Sequence, residues 1–197
     1  MYGKTEGGVG RPPLVDSSGR FDNAGGGKYR NATLDGRMFS VANQAAVITT
    51  AGLAAAYTGL SVCNPLASGK NLVMCGFNFG TGIAISDATS IGIMGAGSGC
   101  AAATAVITIQ NRLLGGGGSS ALADSGITFT TTPVLLMSVA HAWTAAVTID
   151  SIGPVHHVDL DGKIVVPPGG YVAAYTATVT NPACLLFGFI WEEVDVA

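Results

Sequence analysis

The nine residues NLVMCGFNF, Asn71–Phe79, decide the fold. Aliphatic, aromatic and sulfur-bearing side chains crowd a short run that follows a Ser68-Gly69-Lys70 turn signal and stops at Gly80. That is strand texture. In strict alternation Leu72, Met74, Gly76 and Asn78 share one face, and Val73, Cys75, Phe77 and Phe79 the other. CLLFGFIW, Cys184–Trp191, repeats the pattern, with Leu185, Phe187, Phe189 and Trp191 opposite Cys184, Leu186, Gly188 and Ile190. A strand with one wet face alternates apolar with polar residues, and neither run does. The expectation is that each strand faces its own core on one side and another subunit on the other. Phe77, Phe79, Tyr171, Tyr175, Phe187, Phe189 and Trp191 then become interface residues.

Similar short runs continue from Met38 to the C-terminus, among them TAVITIQN, GITFTTTP and VLLMSVAHAW, parted by Gly, Pro, Asn and Ser. No long amphipathic helix alternates with them, which excludes a parallel α/β sheet. The sequence predicts an all-β fold: a jelly-roll-like antiparallel β-sandwich over residues 38–197 behind an extended N-terminal arm, residues 1–37. One short helix is expected within NQAAVITTAGLAAAYTG, Asn43–Gly59, against the resistance of β-branched Val47, Ile48, Thr49 and Thr50.

Charged residues make up only 11% of the chain, against about a quarter in ordinary globular domains. A body so poor in charge expects cover from neighbours. Residues 1–37 carry six basic and four acidic side chains, whereas the remainder carries three and eight. A net charge of −3 excludes nucleic acid as the main partner, which demands clustered Lys and Arg. Met38–Gly69 is uncharged, but Asn43, Gln44, Asn64 and Pro65 break it, so no membrane-spanning helix is expected. The first twenty residues lack the apolar segment of a secretory leader. Cys63, Cys75, Cys100 and Cys184 have no zinc spacing and read as free thiols of a reducing compartment.

The arm holds too few large apolar residues to order itself alone. Its basic and singly spaced apolar side chains, Arg11, Leu14, Arg20, Phe21, Lys28, Tyr29, Arg30, Leu34 and Arg37, read as anchors for a partner surface.

Motifs for chemistry are few. Gly95, Gly97 and Gly99 recur at every second residue, not at dinucleotide-loop spacing, and Ser68-Gly69-Lys70-Asn71 lacks the rest of a phosphate loop. Ala96 stands where a nucleophile elbow at Ser98 needs glycine. The densest polar cluster is PVHHVDLDGK, in which His157, Asp159 and Asp161 share a face for metal or proton work, although Asp161-Gly162 is also an ordinary turn signal. A cupin-like metal enzyme using His141, His156 and His157 is the enzymatic alternative. It lacks a His-x-His pair and a central Glu, so neither cofactor nor catalytic residue is expected. KIVVPPGGYVAAY, Lys163–Tyr175, carries no reactive group; Pro167 and Pro168 end one strand, and Gly169 and Gly170 permit the reversal into the next.

Three stretches carry a resemblance: DGRMFSVANQAAVITT, TGLSVCNPLASGKNLVMCGFNFG and GKIVVPPGGYVAAYTATVTNPACLLFGFIWEEV. Together with the Gly-rich arm they resemble bacteriophage capsid decoration, or cement, proteins and related trimeric virion jelly rolls. The last stretch also looks like the closing hairpins of trimeric tumour-necrosis-factor-type jelly rolls. The resemblance implies a homotrimer, contact with the major capsid protein lattice, no enzymatic activity, and a place in the virion after assembly in the host cytoplasm. A tail, baseplate or fibre component touching a receptor such as a glycan through Tyr57 or Trp143 is the alternative it allows.

Overall fold

The computed structural model describes residues 3–4, 10–11, 28–83, 88–101, 104–142 and 156–196. Leu14, Arg20, Phe21 and Trp143 lie outside them. Two short strands, β1 (Gly3–Lys4) and β2 (Gly10–Arg11), pair with each other near the N-terminus. A single turn of helix follows, α1 (Arg30–Leu34). The body comprises β3 (Met38–Ala42), β4 (Ala56–Cys63), β5 (Lys70–Thr81), β6 (Thr89–Ala96), β7 (Gln110–Asn111), β8 (Leu122–Thr128), β9 (Val134–Ala142), β10 (His156–Val166), β11 (Tyr171–Thr176) and β12 (Leu185–Asp195).

These form two five-stranded antiparallel sheets, ordered β10-β5-β12-β3-β7 and β8-β4-β11-β6-β9. The pairing is nested: β3 with β12, β4 with β11, β5 with β10, and β6 with β9. Nesting of that kind is one long hairpin rolled onto itself, the jelly-roll order, with β7 and β8 added as edges. The sandwich expectation holds.

The core lies between the sheets. Phe39, Leu60, Val62, Leu72, Met74, Ile93, Leu160, Val172 and Trp191 form one cluster with an aromatic centre. The Phe77 ring lies 5.0 Å from Phe189 and 6.0 Å from Phe187, at tilted and near-parallel angles. Such pairs add to the burial of each ring, itself worth about 1.5–3 kcal/mol.

Two expectations need correction here. First, Phe77, Phe79, Phe187, Phe189, Tyr171 and Trp191 are at most 5% exposed within one chain. Their side chains are already covered by this chain's own core. For Phe77 and Phe79 the cause is a β-bulge. Ile190 pairs with Gly76 but Trp191 pairs with Met74, so Cys75 has no partner on β12. The extra residue flips the alternation, and Leu72, Met74, Phe77 and Phe79 all point into one core. Two greasy faces in the sequence are one greasy face in space. Tyr175 is half-buried against a second cluster on the far side of the other sheet.

Second, Asn43–Ala55 is not helical. Its first residues lie beside β12, with the Asn43 and Val47 N–H groups donating to the carbonyls of Phe187 and Leu185, and the Gly52 N–H further on donates to the Thr176 carbonyl of β11. The buried Thr49 hydroxyl bonds Thr176 at 2.6 Å and Thr180 at 2.9 Å. Partners for backbone and hydroxyls favour extension over a β-branched helix. The helix that forms is α1, inside the segment read as arm.

Residues 28–37 dock on the body. Ala32 of α1 packs with Met38 and Cys75 on the outer face of the first sheet, flanked by Tyr29 and Ile190. Arg37 pairs with Glu192, and Lys28 with Asp161, whose carboxylate also accepts from the Tyr29 hydroxyl at 3.1 Å. Among the described residues no helix is long and apolar enough to cross a membrane.

Candidate functional site

The outer face of the first sheet carries the sequence's polar cluster. On β10 the strand leaves register between Asp159, opposite Gly76, and Ile164, opposite Met74. The residues between form a wide bulge that turns through Asp161 at φ 51° and Gly162 at φ 74°. Leu160 is held in the core while Asp161 reaches out to Lys28 and Tyr29. The bulge is therefore a clasp for the helical turn.

His157 sits beside it. Its Nδ1 lies 2.5 Å from Asn78 Oδ1, and its Nε2 lies 3.1 Å from Asp159 Oδ1. The ring lies over Gly76, where an added Cβ would fall 2.8 Å from Cε1. A depression of about 340 Å³ opens here, lined by Tyr29, Thr33, Cys75, His157, Asp159 and Arg112. A second, of about 400 Å³, continues across Gly188, Ser40, Gln44, Asn78, Gln110 and Leu186, sharing Arg112 and Ile190 with the first. Arg112 makes no ion pair among the described residues.

This arrangement can bind polar groups but offers poor means for covalent chemistry. The nearby Cys75 thiol is pushed up by burial, against smaller opposing influences from Tyr29 and Lys28, and it donates to the Val73 carbonyl at 3.4 Å. A protonated thiol is a weak nucleophile. His141 belongs to β9 of the other sheet, where its Nδ1 lies 3.1 Å from Ser90 Oγ. His156 stacks on Phe79 at 4.8 Å, closing one end of the aromatic core. The three histidines do not converge, and among the described residues no group of three His, Cys, Asp or Glu is arranged to hold a metal ion.

Of the anchors assigned to the arm, Lys28, Tyr29 and Arg37 bond this chain's own body, whereas Arg30 and Leu34 are exposed. Arg11 lies in β2.

The apolar surface that sequence reasoning missed is on the other flank. The edge strands β9 and β10 expose Val134 (56%), Leu135 (44%), Leu136 (43%) and Val165 (50%). Val134, Leu136 and Val165 line a groove of about 330 Å³ with Lys163, Gly97 and Pro167. The signal was present in VLL at 134–136: three consecutive apolar residues cannot all face inward on a strand.

Fold and surface together define a class, an antiparallel jelly-roll sandwich with one polar outer face and one apolar flank. Comparison with protein-family models, curated proteins and solved structures finds no match to this chain.

Proposed function

We propose that the chain is a non-enzymatic virion structural protein, a capsid decoration protein that works as a homotrimer on the major capsid lattice. The observation that carries the association is the apolar flank of β9 and β10. An edge strand offers unpaired backbone groups, and natural proteins guard such edges with charge or cover. Among the described residues Lys163 is the one charged side chain lining the groove, beside three adjacent exposed apolar residues on β9. A second copy of this chain is the occupant that the reading assigns to it. The phage assignment rests on the resemblance in sequence, and the basic arm supplies the reach across a lattice.

Native mass spectrometry and co-sedimentation with phage capsid shells test it together. The expected result is a trimer that pellets with shells, that dissociates on Val134→Glu, and that loses shell binding when residues 1–27 are removed. A stable single subunit at high concentration, indifferent to shells, overturns it.

The tail or receptor reading draws on a separate observation, the polar depressions around Arg112 and His157. Binding on a glycan array that Arg112→Ala abolishes would favour it over the head.

A further inference from the structure

The Pro167–Gly170 corner brings two cysteines together. The Gly169 N–H donates to the Asn64 carbonyl at 2.7 Å, next to Cys63. The Gly169 carbonyl accepts from the Cys100 N–H at 2.9 Å. Tyr171, just past the corner, pairs with Cys63 on one side and with Ala96 on the other. Both sulfurs thus fall in one cluster with Tyr171, Met94 and Ala173, on the outer face of the second sheet. The loop bearing Cys100 is also pinned by the Thr130 N–H donating to the Gly99 carbonyl at 3.2 Å.

We propose that Cys63 and Cys100 are a disulfide-forming pair, closed by a low-molecular-weight disulfide, which clasps the 97–101 loop onto the end of β4. The two are free thiols in this structure, Cys63 buried and Cys100 half-buried. Their difference in environment sets the order of events. The neighbouring Cys100 sulfur, together with burial, pushes the Cys63 thiol up, whereas proximity to Cys63 pulls Cys100 down against the opposing effect of its own burial. Cys100 is the more accessible sulfur and the richer in thiolate, as an attacking thiol must be. Its thiolate attacks one sulfur of the oxidant, displaces one small thiolate and forms a mixed disulfide. Cys63 then loses its proton to solvent, attacks the Cys100 sulfur and expels the second small thiolate. Two protein thiols become one disulfide, and the oxidant is reduced to two thiols.

The test treats the full wild-type chain with oxidised glutathione, quenches with iodoacetamide and maps the peptides by mass spectrometry. The expected product is a peptide pair joined through Cys63 and Cys100, with Cys75 and Cys184 alkylated only after unfolding. The oxidised chain melts higher than the reduced chain, by about 5 °C or more, because the closed loop restricts the unfolded state. Cys100→Ser, a change at the more exposed sulfur, removes both the cross-link and the shift. Glutathione that stays on Cys100, or Cys63 and Cys100 recovered separately alkylated after oxidation, overturns the proposal.

Discussion

The Glu193 carboxylate accepts the Ser120 hydroxyl at 2.8 Å, and that bond ties the glycine-rich loop to the last strand of the fold. Glu193 is 7% exposed and also accepts from the Ser119 hydroxyl at 2.5 Å and the Ser120 N–H at 3.0 Å. The run Gly115–Gly118 is thus anchored at its far end by one buried carboxylate. Glu193→Ala strands these donors and should cost about 2–3 kcal/mol in urea unfolding, since donors to a charged acceptor lose more than neutral ones. Glu193→Gln keeps one acceptor oxygen and should cost less.

A glycine's neighbours decide what a methyl group does there. At Gly92 a Cβ would fall 2.3 Å from the Met137 carbonyl oxygen, on the paired backbone of β9. At Gly76 the nearest atom is Cε1 of His157, the movable end of an exposed ring. Gly92→Ala should destabilise the protein by about 2–3 kcal/mol, because backbone cannot retreat without breaking the ladder. Gly76→Ala should cost less than about 1 kcal/mol. It should instead displace the His157 ring from Asn78, which the histidine resonances in NMR would report.

Core and interface substitutions should separate cleanly. Phe77→Ala should lower unfolding stability by about 3–5 kcal/mol while leaving the subunit number in native mass spectrometry unchanged. Val134→Glu, at an exposed residue of the β9–β10 groove, should do the reverse.

Alkaline pH acts through buried phenols. Burial pushes Tyr171 up to about 12, with a smaller contribution from Cys63, and its hydroxyl donates to the Thr131 carbonyl at 2.6 Å. Burial pushes Tyr57 in the same direction. The unfolded chain ionises a tyrosine near pH ~10, so the folded state holds protons that the unfolded state releases. The associated stability is complete below about pH 10 and is lost as pH rises toward about 12. Urea midpoints measured across that window should fall, and Tyr171→Phe should make the fall shallower.

The sandwich class and the long strands β5, β9 and β12 were legible in the sequence, whereas TAVITIQN supplies only the two residues of β7. They depend on local properties: β-branched and aromatic composition, and the fixed backbone of Pro167, Pro168 and Gly169. The polar cluster at His157, Asp159 and Asp161 was legible as a cluster, but its task was not. Asp161 clasps Lys28 and Tyr29, residues more than a hundred positions earlier in the chain. The side that each residue faces was decided only by tertiary structure. Alternation has a period of two, so one unpaired residue at Cys75 inverts every side chain beyond it. A bulge of that kind is chosen by the partner strands β10 and β12, because only their register makes inversion place Phe77 and Phe79 beside Phe187 and Phe189.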